Sequence, residues 1–386
     1  MIWIVAIVSV FLVSVLLTGI IIPQILLIAF RKKLFDDVDE RKIHKGAVPR
    51  LGGIAFMPAI VLSMSLVCGV ALLTFNSYSP ALFNSMEVVL TSNGEMSLLL
   101  PICFGLCAIM LMYLIGIADD LIGLQYQAKF VAQILAGLLL AAGGLKIESL
   151  DGMFGIWILP EGISWLLTVF LTVFITNAIN LIDGIDGLAS GLSGIAMIYY
   201  GMFFIAGSQW GCAMIAFASL GTLVPFFYYN VFGSAFNRKK IFMGDTGSLT
   251  TGLVLSFLAF RLCDMNVNFN IDADILVLAF SPLAVPCLDV VRVFIHRIIR
   301  GHSLFLPDRV HIHHKLLALG MPSRAAMISI VSFSALLTAM NIAISPVMSV
   351  LAIVFIDLAI WVVVNLALTK NIRRLQVKKG ITNGYD

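Results

Sequence analysis

Four short runs in this chain gather the residue types that handle phosphate and metal ions. Asp119-Asp120 open the stretch D-D-L-I-G-L-Q-Y-Q-A-K, which ends at Lys129. Adjacent carboxylates can share a hard cation, or one can act as base while the other binds metal, and the lysine can meet a phosphate. In T-N-A-I-N-L-I-D-G-I-D-G (Thr176–Gly187), Asn177, Asn180 and Asp183 recur every third position, so they share a face while a helix persists. Asp186 extends that row across a glycine turn, and such a set suits a ligand with hydroxyls, a base edge or a diphosphate. Hydrogen bonding between helices would account for one asparagine but not for the row.

The third run, F-M-G-D-T-G-S (Phe242–Ser248), follows the basic triplet Arg238-Lys239-Lys240 and opens an apolar segment. Asp245 can ligate Mg²⁺, and backbone N–H groups at a helix start can hold phosphate oxygens; a simple N-cap occupies the same place. The fourth run is P-D-R-V-H-I-H-H (Pro307–His314). Its three histidines, His311, His313 and His314, beside Arg309 address a diphosphate more naturally than zinc, because no cysteine or distant ligand pair completes a tetrahedral set.

These runs must be positioned by elements, and composition says which. The 386 residues are 60% hydrophobic and only 12% charged, with mean hydropathy +1.05. A soluble domain is about 45–50% apolar and about 25% charged. The excess cannot be hidden in one water-soluble core, so the fold class is an all-α polytopic membrane bundle; collagen, disordered chains and disulfide scaffolds are excluded. The cysteines lie in or beside apolar runs and read as small hydrophobes. About eleven spans are expected, roughly at 2–30, 51–75, 98–118, 128–145, 163–182, 188–206, 211–232, 248–263, 274–295, 325–344 and 347–368. The first reads as a retained helix and not a signal peptide.

Alternation of these spans puts every Lys and Arg except Lys146 and Arg261 on one side. By the positive-inside rule that side is cytoplasmic, with the N-terminus out and the C-terminus in. All four runs then fall at the cytoplasmic mouth. Carboxylates without neighbouring cations repel one another, which argues for a metal ion or cationic ligand among them.

The four signatures, in this order and with this membrane placement, resemble the polyprenyl-phosphate N-acetylhexosamine-1-phosphate transferase family. The likeness spans most of the chain, from His44-Lys45-Gly46 and Pro49-Arg50-Leu51-Gly52-Gly53 through H-I-H-H. The P-D-R-V-H-I-H-H run and the eleven spans look like its WecA-type branch and not its ten-span pentapeptide branch. The resemblance implies that Asp119 and Asp120 are the family's acidic pair, one deprotonating the lipid phosphate. It makes Lys129 a ligand of the reacting phosphates and Asp186 a further catalytic acid. Asn180 and Asp245 match positions tied to Mg²⁺ (with Mn²⁺ substituting) and diphosphate, and Asp183 one near the uridine. Arg309, His311, His313 and His314 match the loop that holds the sugar-diphosphate, and Lys45 and Asn177 join the substrate-binding set.

The implied activity is transfer of an N-acetylhexosamine 1-phosphate, by default GlcNAc-1-phosphate, from a UDP-sugar to undecaprenyl phosphate. UMP leaves, and a lipid-linked envelope glycan of O-antigen, common-antigen or teichoic-acid type is begun. The expected setting is the bacterial inner membrane, with one integral transferase domain over 1–369 and a basic cytoplasmic tail over 370–386. The partners are the two substrates and membrane lipid, with no nucleic acid; a homodimer is left open. The competing class is a secondary transporter or lipid flippase, for which Asp289 and Asp357 inside spans are the best features. A CDP-alcohol phosphotransferase fits less well, since D-G-I-D-G lacks that signature's Ala-Arg and later acids.

Overall fold

The structure is a computed structural model, and it describes residues 2–35, 48–78, 99–263, 274–301 and 310–378. Lys45 and Arg309 lie outside the described residues, as does the loop at 79–98. Within them the chain is helical apart from turns and one isolated bridge, Ser149 with Ile158. The long helices are α1 (Ile2–Lys32), α2 (Phe56–Tyr78), α3 (Leu99–Ile122), α4 (Tyr126–Ala142), α5 (Glu161–Ile182), α6 (Leu188–Ala206) and α7 (Trp210–Phe227). They continue with α8 (Gly244–Cys263), the pair α9 (Ile275–Phe280) and α10 (Ala284–Ile299), α12 (Ser323–Ile344) and α13 (Val350–Lys378). A short helix, α11 (Ile312–Ala318), carries the histidines.

Ten helical stretches among the described residues are long and apolar enough to cross a membrane. The remaining expected span is α4, a shorter apolar helix of 17 residues, at the lower limit of about 17 for a spanning helix. The chain is thus a polytopic helical membrane protein. The ninth expected span is interrupted by a tight turn at Ser281–Leu283 around Pro282, where proline removes a backbone donor. The last helix, α13, runs without a break through position 370, to Lys378. All six cysteines are free thiols.

The bundle is built around α8, which packs against α3 and α5 and is buried along nearly its whole length, from Thr246 to Leu262. Small residues make that possible, as is general for helices packed in lipid. A side-chain carbon at Gly252 would press on Thr176 of α5, and one at Gly116 of α3 would overlap Thr246. On α5, Thr168, Thr172 and Thr176 each donate to the carbonyl four residues back, at 2.6–2.8 Å. This satisfies the hydroxyls internally and leaves a narrow stripe for close helix contact. Continued by one more turn, the stripe delivers Asn180 to the first turn of α8. The C-terminal ends of α3 and α5 and the N-terminal end of α8 therefore meet at one end of the bundle.

Candidate active site

The start of α8 is held by a neighbour and not by its own sequence. Asp120, in the last turn of α3, accepts from the backbone N–H of Asp245 (2.8 Å) and of Thr246 (2.9 Å), and from Thr246 Oγ1 (2.5 Å). A carboxylate there satisfies orphan donors and complements the helix dipole. Two expectations change as a result. The acidic pair lies in a helix, not after it, and α8 begins at Gly244 and not at 248. The N–H groups of Asp245 and Thr246, expected to receive phosphate, are already bonded to Asp120. Gly244 is needed at the bend: its φ is +73°, and a side chain would overlap Arg50's carbonyl and Asp120's carboxylate.

Asp119 faces differently. Its Oδ1 accepts from Leu124 N–H (2.7 Å), and its Oδ2 accepts from Lys129 Nζ (3.1 Å). Lys129 also donates to Asp245 Oδ2 at 2.8 Å, so one ammonium bridges two carboxylates from two helices. Asp245 Oδ1 accepts from Asn180 Nδ2 (3.1 Å), which also reaches Ser248 Oγ (2.8 Å). Asn177 does not join them. It exchanges amide hydrogen bonds with Gln133 of α4, at 2.7 and 3.3 Å, so the asparagine row splits between two neighbouring helices.

Asp183 caps the end of α5 beside this cluster. Its carboxyl is pushed up to about 7, first by burial and then by the negative charge of Asp245, Asp186 and Asp120, against the pull of Arg50. Asp186 is engaged elsewhere, paired with Lys240 at 2.5 Å. Buried Asn230, in the turn after α7, accepts from Gly187 N–H (2.6 Å) and donates to Ile241's carbonyl (2.9 Å). It locks the glycine-rich turn to the segment leading into α8. Gly52 and Gly53 donate to the carbonyls of Phe242 and Met243, which brings Arg50 to the same end.

The histidines arrive from the far side. Asp289 of α10 accepts from His311 Nδ1 (2.8 Å), from the Ile312 N–H (3.1 Å) and from Arg292 (3.1 Å), fixing the imidazole's tautomer and orientation. The rings of His311 and His313 stack, and the ring of His314 lies tilted against that of His313. His313 is 1% exposed, neither ring nitrogen has a hydrogen-bond partner, and its Nε2 lies against Gly184, where a side-chain carbon would overlap it. Its pKa is lowered to about 3, first by burial and then by His314 and His311, so this ring is neutral.

Asp120, Asp119, Lys129, Asn180, Asp183 and Asp245 are thus brought together, and His313 abuts the turn they share. Sequence reasoning missed Asp289, Arg50 and Asn230 as parts of this assembly. Asp289 carried one signal, an arginine three residues on; Asn230 carried only its polarity within an apolar run. Asp289's role as partner of His311 also removes it as a feature favouring transport.

The residues fit a divalent cation in a particular way. Among the described residues no three His, Cys, Asp or Glu side chains already converge as a cage. Mg²⁺ is commonly held by one or two carboxylates, waters and substrate phosphates. Oxygen donors from Asp245, Asp119 and Asn180, with burial and then the neighbouring carboxylates raising Asp183, match that mode.

Residues 102–262 match the model of the glycosyl transferase family 4. The chain is 31% identical over 330 residues, 84% of its length and 81% of the relative's, to a Bacillus subtilis (strain 168) protein named "Probable undecaprenyl-phosphate N-acetylglucosaminyl 1-phosphate transferase". It is 30% identical over 317 residues to the undecaprenyl-phosphate alpha-N-acetylglucosaminyl 1-phosphate transferases of Yersinia pestis and Escherichia coli (strain K12). The match covers 82% of this chain and 78% and 77% of theirs.

Proposed function

This chain belongs to the polyprenyl-phosphate N-acetylhexosamine-1-phosphate transferase family, and we propose that its substrates are UDP-N-acetylglucosamine and undecaprenyl phosphate. It is a phosphoglycosyltransferase. In the reaction we infer, a phosphate oxygen of the lipid attacks the β-phosphorus of the UDP-sugar. The new P–O bond forms as the bridging bond to the α-phosphate breaks, and UMP departs with that electron pair. The observation that carries this reading is the convergence of Asp119, Asp245, Lys129 and Asn180, from four helices, at one end of an apolar bundle.

Two anionic reactants repel, and positive charge aimed at the developing charge is the main catalytic resource. Lys129 and Arg50 supply it from the chain. Asp245 and Asn180, with Asp119 adjacent, would hold Mg²⁺, which when bound would neutralise the diphosphate. Asp120, its oxygens occupied by α8, is an anchor in this scheme, so Asp119 takes the proton of the lipid phosphate. Neutral His313 and oriented His311 bind the donor's diphosphate by hydrogen bonds. Asp183 faces the uridine, and Asp186 holds the glycine turn through Lys240.

The bacterial inner membrane is the setting, with the acidic cluster facing the cytoplasm, the N-terminus out and the C-terminus in. Among the described residues, the basic side chains other than Lys146 and Arg261 lie at the helix ends that share the cluster, in support of this orientation. The product starts a lipid-linked envelope glycan. The test is UMP release from purified protein across a panel of UDP-sugars. UMP should form only with UDP-N-acetylglucosamine, undecaprenyl phosphate and a divalent cation together. UMP release without the lipid acceptor would overturn direct attack, and no release from any sugar would overturn the substrates.

A further inference from the structure

The last helix carries a feature that the catalytic scheme leaves unused. α13 has 29 residues, a rise of about 44 Å, whereas the hydrocarbon layer is about 30 Å thick. Its apolar first part leaves the final turns among the headgroups, at the end of the bundle that holds the acidic cluster. There Leu366, Thr369, Lys370, Arg373, Arg374 and Val377 border one open surface pocket. Their spacing of three and four residues puts them on one helix face. Lys370, Arg373 and Arg374 are exposed, and among the described residues no carboxylate pairs with them. Leu366 and Val377, 64% and 79% exposed, bound the cations with alkyl surface.

A second observation lies at the base of this face. Lys315 of α11, four residues after His311, is 8% exposed. Its Nζ donates to Asn365 Oδ1 and to Thr369 Oγ1, each at 3.1 Å, both on α13. Both partners are neutral, although buried charges are ordinarily paired with opposite charge. The carboxylate whose charge acts on Lys315, Asp289, is already bonded to His311 and Arg292, and a phosphate held one turn beyond Thr369 would add to the negative charge around the ammonium.

We propose that this face of α13 binds headgroups of anionic phospholipids in the leaflet that carries the active site, and that Thr369 and Lys315 connect the lipid to the histidine helix. α11 is then held from two sides, by Asp289 through His311 and by α13 through Lys315. Cations spread along a lipid-exposed helix suit abundant bilayer phosphodiesters better than one scarce substrate molecule. The connection to catalysis rests on the proposed function; the binding does not.

The test has a binding arm and a kinetic arm, both on the full chain in phosphatidylcholine bilayers. In the first, association of spin-labelled phosphatidylglycerol is compared with that of spin-labelled phosphatidylcholine. Each cation near a membrane surface is worth about fivefold in lipid preference. The wild type should prefer phosphatidylglycerol by at least about fivefold, and the triple variant Lys370→Gln, Arg373→Gln, Arg374→Gln by less than about twofold. Equal preference in both proteins overturns the site. Displacement of the spin label by one equivalent of undecaprenyl phosphate overturns the phospholipid assignment in favour of the acceptor.

In the kinetic arm, phosphatidylglycerol should raise kcat/KM for UMP release at least about threefold in the wild type and leave the triple variant flat, an effect smaller than one full cation's worth. Equal stimulation of both overturns the connection through Lys315. Absence of UMP in every bilayer counts against the proposed function instead, and the spin-label result still decides the lipid site.

Discussion

His313 has both ring nitrogens unpartnered in a buried position, and this defines what it can do at neutral pH. A histidine held down to about 3 is neutral, so it can accept or donate a hydrogen bond but adds no counter-charge for phosphate. Because its pKa is depressed on folding, it contributes stability that is complete above about pH 6.5, its unfolded value, and is lost as pH falls toward 3. The apparent Tm of the wild type should therefore drop between about pH 6.5 and about pH 4.5, with a shallower drop for His313→Gln. Parallel curves would mean the ring takes up its proton without cost. Gly184 offers a second probe, because the imidazole rests where a side chain would be. Gly184→Ala should lower kcat/KM at least about tenfold, as small displacements in a positioned site commonly do, with normal membrane insertion. Unchanged kinetics would show that the contact is incidental.

At the scale of elements, Asp119 and Asp120 are neighbours in sequence but serve different helices. Asp120 caps α8 from α3, while Asp119 accepts from Lys129, which also donates to Asp245. Asp120→Asn should cost about 1–2 kcal/mol of stability by weakening the cap and its charge–dipole attraction. Asp119→Asn should leave thermal stability nearly intact and reduce kcat about 10²-fold or more, the usual scale of a lost general base. Thermal melts and initial rates on the two purified variants separate the roles; a reversed pattern would exchange the assignments. Asn177 follows the same logic. Its reciprocal pairing with Gln133 fastens α5 to α4, so Asn177→Ala should act on stability more than on KM. A KM change with unchanged stability would return it to the binding set.

For the whole molecule, negative charge is concentrated at one end of an apolar bundle and relieved only in part by Lys129, Lys240 and Arg50. Chelation should abolish turnover and Mg²⁺ restore it, and Asp245→Asn should raise the Mg²⁺ concentration needed for half-maximal rate about tenfold or more. Activity that persists in chelator would remove the metal from the scheme. Orientation is checked separately. A fluorescent protein fused after Asp386 should fluoresce, and a thiol probe on a cysteine placed at Lys146 should label from the outside. Labelling of that position only after permeabilisation would invert the topology or remove α4 as a crossing.

The bundle, its spans and the four reactive runs were legible because each is a local property. Twenty apolar residues cost too much in water wherever they sit, and D-D, N-L-I-D-G-I-D-G, G-D-T-G-S and H-I-H-H keep their chemistry in any arrangement. Tertiary structure alone decided which acids point at one another. One turn of helix separates Asn177 from Asn180, yet their side chains bond to different neighbours, because residues three apart are offset around the helix and α4 and α8 flank α5 on those two sides. The same holds for Asp289, Asn230 and Lys315: a carboxylate, an amide and an ammonium gain their roles only from the backbone or imidazole that packing sets within hydrogen-bond reach.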